Sequence, residues 1–338
     1  MPDSLNISTS KNKKLEYKYT NEELKKLQSM NLEDKIALSL TRIAEFYNRF
    51  PNKIYISLSG GKDSTVLQHL VRKIYPDTPS VFIDTGLEYP AIKEFALSQT
   101  NVIRIKPEMT YRKVIETYGY PLISKEVSRD IYVARHCPNG KVAQKFVPNN
   151  PHDLKYGMSY SMVKWSDLKD SNIPISHICC DVMKKKPAKK FEKETGLKPI
   201  TAMMASESRL RKNSWLKNGC NAFDNIRPIS NPMSFWTEQD VLEYIVKYNI
   251  PYAKEVYGDI KQNENGKYYT TLCDRTGCIF CMFGVHLEKT NDGYERFNKL
   301  KKLYPKLYEY CMRDWDKGGL GIENVLNKLE EIMSKNGT

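Results

Sequence analysis

The chain has 338 residues, 40% hydrophobic and 28% charged, with 53 Lys and Arg against 40 Asp and Glu, a formal net charge of +13. That length buries one large α/β domain with additions, or two domains. The longest apolar runs fall far short of a membrane span. The polar, basic opening stretch MPDSLNISTSKNKKLEYKYT lacks the apolar core of a secretory signal, so a cytoplasmic location without a membrane partner is expected. The basic excess suits anionic partners (nucleotides, sulfate esters or nucleic acid) unless it is simply solvated lysine-rich surface. Eight cysteines in such a compartment are not expected to pair as structural disulfides, so their spacing matters more than their number.

In chain order, residues 1–30 read as a poorly ordered basic lead-in. Residues 32–50 have apolar positions at helical spacing, and residues 53–59 (KIYISLS) form a β-branched strand. A helix ended by Pro76, a second strand at 80–86 (SVFIDTG), a helix from Pro90, a third strand at 101–107 and a helix at 111–119 follow. Strands alternating with helices at this spacing predict an α/β fold, a doubly wound, mostly parallel sheet. Residues 137–175 carry Pro, Asn and Gly with little periodicity and read as an insertion or a lid. Residues 181–196 form a helix stopped by Gly196, residues 197–204 a fourth strand, and residues 236–249 a helix capped by Thr237. The expected organisation is a nucleotide-binding α/β domain over 31–250 and a cysteine-bearing, helical C-terminal region over 251–338.

The first strand ends in Ser59-Gly60-Gly61-Lys62-Asp63-Ser64, and a helix begins there. In open parallel sheets ligands bind at the carboxyl ends of strands. Glycines let the backbone approach an anion, and the helix start offers unpaired amides and the positive end of its dipole. With Lys62 and the two serines this pattern favours a phosphate chain. It is not a Walker A loop, since Asp63 follows the lysine.

These residues resemble the SGGxDS loop of the PP-loop ATP pyrophosphatases, the adenine nucleotide alpha hydrolases. Residues 82–90, FIDTGLEYP, resemble the DTGxxFP element of the phosphoadenosine phosphosulfate (PAPS) reductase branch, with Tyr89 for Phe. Arg227, Pro228, Trp236, Thr237, Asp240, Val241 and Tyr244 are similar to its RPxxWTxxDVxxYI element. The resemblance, over residues 35–285, implies an adenine nucleotide with its base near the second strand. Its phosphates would lie on Ser59, Gly60, Gly61, Lys62, Asp63 and Ser64, with Asp84, Thr85 and Gly86 beside the crevice. Asp63 would hold Mg²⁺ if ATP is the ligand, or cap the helix.

Glu207, Ser208 and Arg211 fit the family's ESxxR pattern. Arg209 and Arg211 are candidates to grip sulfate or phosphate, the alternative being an ion pair with Glu207. A lone CxxC, Cys278 to Cys281, is shared by zinc, redox and iron–sulfur sites. Together with the Cys179-Cys180 pair it resembles the [4Fe–4S] site of the adenylyl sulfate reductases, with a Cys₄ zinc site as the alternative. Cys220 or Cys273 is available to replace one member of the pair.

Three departures from the reductases matter. Ala202-Met203-Met204 stand where an anion-binding Gly-x-Arg is expected. No cysteine follows Cys311, where the family's tail carries its nucleophile. The nucleotide loop is intact, as in branches that cleave ATP between the α and β phosphates. The leading expectation is therefore ATP-dependent adenylation coupled to sulfur transfer, as in tRNA thiolation or DNA phosphorothioation, with an iron–sulfur cluster, a sulfur or electron donor protein, and nucleic acid or a homo-oligomer as further partners. The alternatives are an adenylyl sulfate or phosphoadenylyl sulfate reductase, which would need a thiol such as Cys311 or a partner's, and an inactive nucleotide- or nucleic-acid-binding module.

Overall fold

The computed structural model describes residues 17–157 and 161–335. Residues 1–16 of the expected lead-in lie outside the described residues. The remainder of that lead-in is not without structure. Thr20 opens a helix over Asn21–Gln28, its hydroxyl accepting from the Glu23 amide at 3.2 Å while its own amide donates to the Glu23 carboxylate at 2.7 Å. This reciprocal capping satisfies two otherwise orphaned donors.

The central sheet has six strands in the order Val102–Ile105, Ser80–Ile83, Ile54–Leu58, Lys198–Ile200, Ile229–Ser230 and Asn221–Ala222. Ile56 pairs with Ser80, Ile54 with Lys198 and Ile200 with Ser230, all in parallel; Ala222 opposite Ile229 is antiparallel. The expected α/β class with a mostly parallel sheet is what forms. Among the described residues no helix is long and apolar enough to cross a membrane.

The chain separates into two compact units, residues 1–82, 94–103 and 195–274, and residues 83–93, 104–194 and 275–338. This interleaving differs from the expected boundary near 250. Residues 251–274 join the first unit and the remainder of the C-terminal region joins the second.

In the first unit the helices Leu32–Arg49, Lys62–Ile74 and Glu238–Tyr248 share a core that includes Ile43, Phe46, Leu67, Leu70, Trp236 and Tyr244. Several polar groups drawn into it are paired, as burial requires. The Trp236 indole donates to Ser39 Oγ at 2.9 Å, and Ser39 donates to the Pro232 carbonyl at 3.0 Å. Lys35, 2% exposed, donates to both oxygens of Asp240 at 2.7 Å. Asp240 also accepts from the Thr237 amide at 2.6 Å and hydroxyl at 2.8 Å.

The second unit is mainly helical, with Tyr111–Tyr118, Lys125–His136, Lys186–Thr195 and Ile322–Lys335 among its helices and a short parallel pair in which Met282 faces Leu122. The stretch 137–175 contains the short helices Lys141–Gln144, Pro151–Tyr156 and Ser166–Asp170. Part of it is pinned by one side chain. The Arg135 guanidinium donates to the carbonyls of Leu168, Lys169, Ser171 and Ile173 at 2.5–2.8 Å.

Removing one partner of a buried ion pair leaves an uncompensated charge, which costs about 3–5 kcal/mol. Lys35→Met is therefore expected to lower the unfolding free energy by about that amount in a urea titration. A variant as stable as the parent would show that the pair does not hold these helices.

Candidate nucleotide-binding site

The loop after the first strand is built by local geometry. Gly60 has φ of +75°, a conformation that side-chain-bearing residues adopt at a cost, and turns the chain from strand to helix. Gly61 is the N-cap of Lys62–Ile74 and supplies no side-chain cap. The two serines clasp the turn. The Ser59 amide donates to Ser64 Oγ at 3.1 Å, the hydroxyls lie 3.0 Å apart, and the Gly61 amide donates to Ser59 Oγ at 3.3 Å. Ser64 and Thr65 hydroxyls donate to the Gly61 carbonyl at 2.9 and 3.0 Å. Asp63, half-buried, sits in the helix's first turn.

Lys62 is only 4% exposed. Its ammonium donates to Glu238 Oε1 at 3.0 Å and to the Asp274 carbonyl at 2.9 Å, and lies 4.9 Å from the centre of the Tyr257 ring. Glu238 is half-exposed at the start of its helix. A buried ammonium needs compensation, and a carboxylate, a carbonyl and an aromatic face supply it. Glu238 and Tyr257 carry no sequence signal of this role beyond Glu238's place beside Thr237.

In the same unit, Ser208 caps the helix Arg209–Asn218 by accepting from the Arg211 amide at 3.3 Å. Arg211 forms an ion pair with Glu207, which also accepts from the Met204 amide at 3.2 Å. Arg211 thus takes the alternative ion-pairing role, whereas Arg209 is exposed and makes no hydrogen bond or ion pair among the described residues. Met204, one of the residues standing in place of an expected arginine, is buried in the core.

Asp84, Thr85 and Gly86 belong to the second unit. Asp84 is buried, and its Oδ2 is held by Arg104 Nε at 2.8 Å and Lys93 Nζ at 3.1 Å. Burial works against its ionisation, but these two cations outweigh it and hold the carboxyl below its ordinary value. Thr85 donates to Glu88 at 2.7 Å, and Gly86, φ +72°, completes the turn.

This turn adjoins the CxxC segment. The Ile279 amide donates to the Leu87 carbonyl at 2.8 Å, Tyr111 donates to the Phe280 carbonyl at 3.2 Å, and Arg296 donates to the Cys281 carbonyl at 2.6 Å. The Cys179-Cys180 pair opens the helical run that passes through a π-turn over Asp181–Lys185, a form frequent at functional sites. The two sulfurs are 3.9 Å apart. The hydrogen bond from Cys179 brings the Cys180 thiol down to about 6, with Lys125 and Lys184 helping, and that same bond with burial pushes Cys179 up. Burial pushes Cys278 up against the pull of Lys184, and pushes Cys281 up to about 11. Tyr111 is raised well above its ordinary value by burial, with Cys281, Cys179 and Cys278 adding to it.

The four thiols named from the sequence therefore share one electrostatic neighbourhood, which includes Lys184. Their donor chemistry suits a metal–thiolate centre, yet among the described residues no three His, Cys, Asp or Glu side chains are gathered to hold a metal ion. Cys220 and Cys273 belong to the first unit. Cys220 is buried, accepting from Ser234 Oγ at 3.3 Å, and Cys273 is buried. Cys311 is fully buried and its thiol is pushed up by burial, which disqualifies it as an accessible nucleophile.

A phosphoadenosine phosphosulfate reductase domain model matches residues 53–122, which contain both the Ser59–Ser64 loop and the Asp84–Gly86 turn. The adenosine 5'-phosphosulfate reductase of Bacillus mycoides is 22% identical over 232 residues, covering 66% of this chain and 76% of that protein. An uncharacterized protein of Methanocaldococcus jannaschii is 23% identical over 283 residues, covering 80% of this chain and 50% of that protein. The crystal structure of the PAPS reductase from Candida auris in its phosphate complex is similar at a TM-score of 0.37 and 15% identity, covering 70% of this chain and 90% of that one. The domain match thus falls on the segment that contains this loop and this turn, and that segment is similar to the phosphoadenosine phosphosulfate reductase domain.

Proposed function

We propose that the chain is an adenine-nucleotide enzyme of sulfur chemistry that binds ATP at Ser59–Ser64, adenylates an oxygen of its acceptor and so prepares that position for sulfur. The observation that carries this reading is the loop itself: a strand end, a left-handed Gly60, a helix start without a side-chain cap, and a lysine held by a displaceable carboxylate. A phosphate there would receive the first-turn amides and the dipole end of Lys62–Ile74. It would also take the place of Glu238 on Lys62, one anion exchanged for another. Ser59 and Ser64 would orient the phosphate through their hydroxyls. Arg209, exposed and unpaired, is the arginine available to meet developing negative charge, whereas Arg211 is committed to Glu207. Asp63 would help hold Mg²⁺.

In the proposed reaction an acceptor oxygen attacks the α-phosphorus, the α–β bond breaks and pyrophosphate leaves. A sulfur nucleophile from a donor protein then displaces AMP. The acceptor is of nucleic-acid or small-molecule class, the former favoured by the net charge of +13. Cys179, Cys180, Cys278 and Cys281 would hold the cluster, which when bound would carry electrons or sulfur; their shared neighbourhood in one unit supports this assignment.

A second reading, reduction of adenylyl sulfate to sulfite, is favoured by the similarity to the Bacillus reductases. The burial of Cys311 weighs against it, since the attacking thiol would have to come from elsewhere.

Incubation with MgATP, candidate acceptors and a sulfur donor is expected to release pyrophosphate and AMP, whereas sulfite released from adenylyl sulfate with a thiol donor would favour the reductase. Lys62→Ala should weaken ATP binding by about ten- to a hundredfold, the worth of a charge-assisted hydrogen bond of about 1.5–3 kcal/mol, without loss of the folded spectrum. Glu238→Gln should tighten it several-fold, because the competing charge is gone; weaker binding would mean that Glu238 serves the nucleotide instead. Protein purified without oxygen should be brown and contain iron and sulfide, and Cys278→Ser should lose both. Colourless parent protein lacking iron would remove the cluster.

A further inference from the structure

The second unit contains a cavity of about 470 Å³ that the reading above does not use. It lies between residues 105–109, which follow the third strand, and the helix Lys186–Thr195. Its size falls within the roughly 300–1,000 Å³ of small-molecule sites. Met109, Val182 and Phe191 make an apolar floor, and Lys106, Lys186 and Lys190 stand around it. Lys186 and Lys190 are four residues apart, hence neighbours on one helix face.

The charges are unevenly satisfied. Lys190 pairs with Glu108 at 2.9 Å, joining the helix to the 105–109 segment, and both side chains are well exposed. Glu194 also lines the cavity. Lys106 and Lys186 are exposed and form no ion pair or hydrogen bond among the described residues, although Lys186 lies near enough to Glu108 to help Lys190 hold its carboxyl below the ordinary value. Three ammonium groups against two carboxylates leave a positive excess over an apolar surface. The pair at Lys190 is weakly held, as exposed pairs are, and yields readily to a better anion.

We propose that this cavity binds a small organic anion with an apolar or aromatic body. The body would lie on Met109, Val182 and Phe191, and the carboxylate, sulfonate or phosphate on Lys106 and Lys186, with Lys190 recruited as Glu108 is displaced. Val182 belongs to the π-turn that directly follows Cys179-Cys180, so the ligand would contact the element carrying that pair. The site is separate from the Ser59–Ser64 loop, which lies in the first unit, and stands whether or not that loop takes ATP.

The test uses the full chain and the aryl sulfonate 1-anilinonaphthalene-8-sulfonate as probe, followed by fluorescence and by the methyl resonance of Met109 in methionine-labelled protein, assigned with Met109→Leu. The probe is expected to saturate one site and to shift the Met109 resonance along the same isotherm. Lys106→Gln with Lys186→Gln is expected to weaken binding about tenfold or more, as loss of charge-assisted contacts does. Glu108→Gln is expected to strengthen it several-fold by freeing Lys190. A Met109 resonance unmoved at saturation, or a folded double variant that binds as tightly as the parent, would overturn the site. If the double variant does not fold, Lys106→Gln alone decides, on the same two readouts.

Discussion

Two lysines in the first unit are almost wholly withdrawn from water, and one helix start compensates both. Asp240 holds Lys35 at 2.7 Å and Glu238 holds Lys62 at 3.0 Å, and the two carboxylates lie in the first turn of Glu238–Tyr248. Acidic residues are favoured there by the helix dipole, so one short sequence stabilises its own helix and anchors two others. The pairs differ in consequence. Asp240 is enclosed and shared with Thr237, which suits a permanent joint. Glu238 is half-exposed, which suits a contact that can be exchanged.

That difference divides the motif around Glu238 into structure and chemistry. Trp236, Asp240 and Tyr244 look functional as a motif, yet they are buried, and each is tied into the packing, Trp236 through Ser39, Asp240 through Lys35 and Tyr244 through His69 at 2.8 Å. They place Glu238. The side chains left with chemical freedom are fewer: the two clasped serines, Lys62 through its exchangeable partner, and Arg209. At the cysteines, Cys220, Cys273 and Cys311 are buried, while the half-buried Cys180 has its thiol drawn well down.

What could be read from the sequence was what depends on local periodicity and on short motifs. The alternation of strands and helices gave the parallel sheet, and Ser-Gly-Gly-Lys-Asp-Ser at a strand end predicted the loop geometry that forms. What escaped depends on contacts between distant residues. Nothing local marks Glu238, 176 positions from Lys62, as its partner. The irregular stretch 137–175 lacks periodicity because Arg135 and its carbonyl acceptors, rather than an amphipathic face, organise part of it. The division into interleaved units was hidden for the same reason, since a boundary drawn along the chain cannot anticipate segments that return. The helix at Asn21–Gln28 was legible in its cap, Thr20 with Glu23 three residues on, and was obscured by the lysines around it.

The function proposed for the Ser59–Ser64 loop is to hold the phosphates of ATP. The most direct measurement is calorimetric titration of anaerobically purified protein with MgATP, adenylyl sulfate and phosphoadenylyl sulfate, each repeated on Lys62→Ala. If the loop holds ATP, MgATP binds markedly more tightly than either sulfated nucleotide, and Lys62→Ala loses that binding. Markedly tighter binding of a sulfated nucleotide, or MgATP binding indifferent to Lys62, would contradict it.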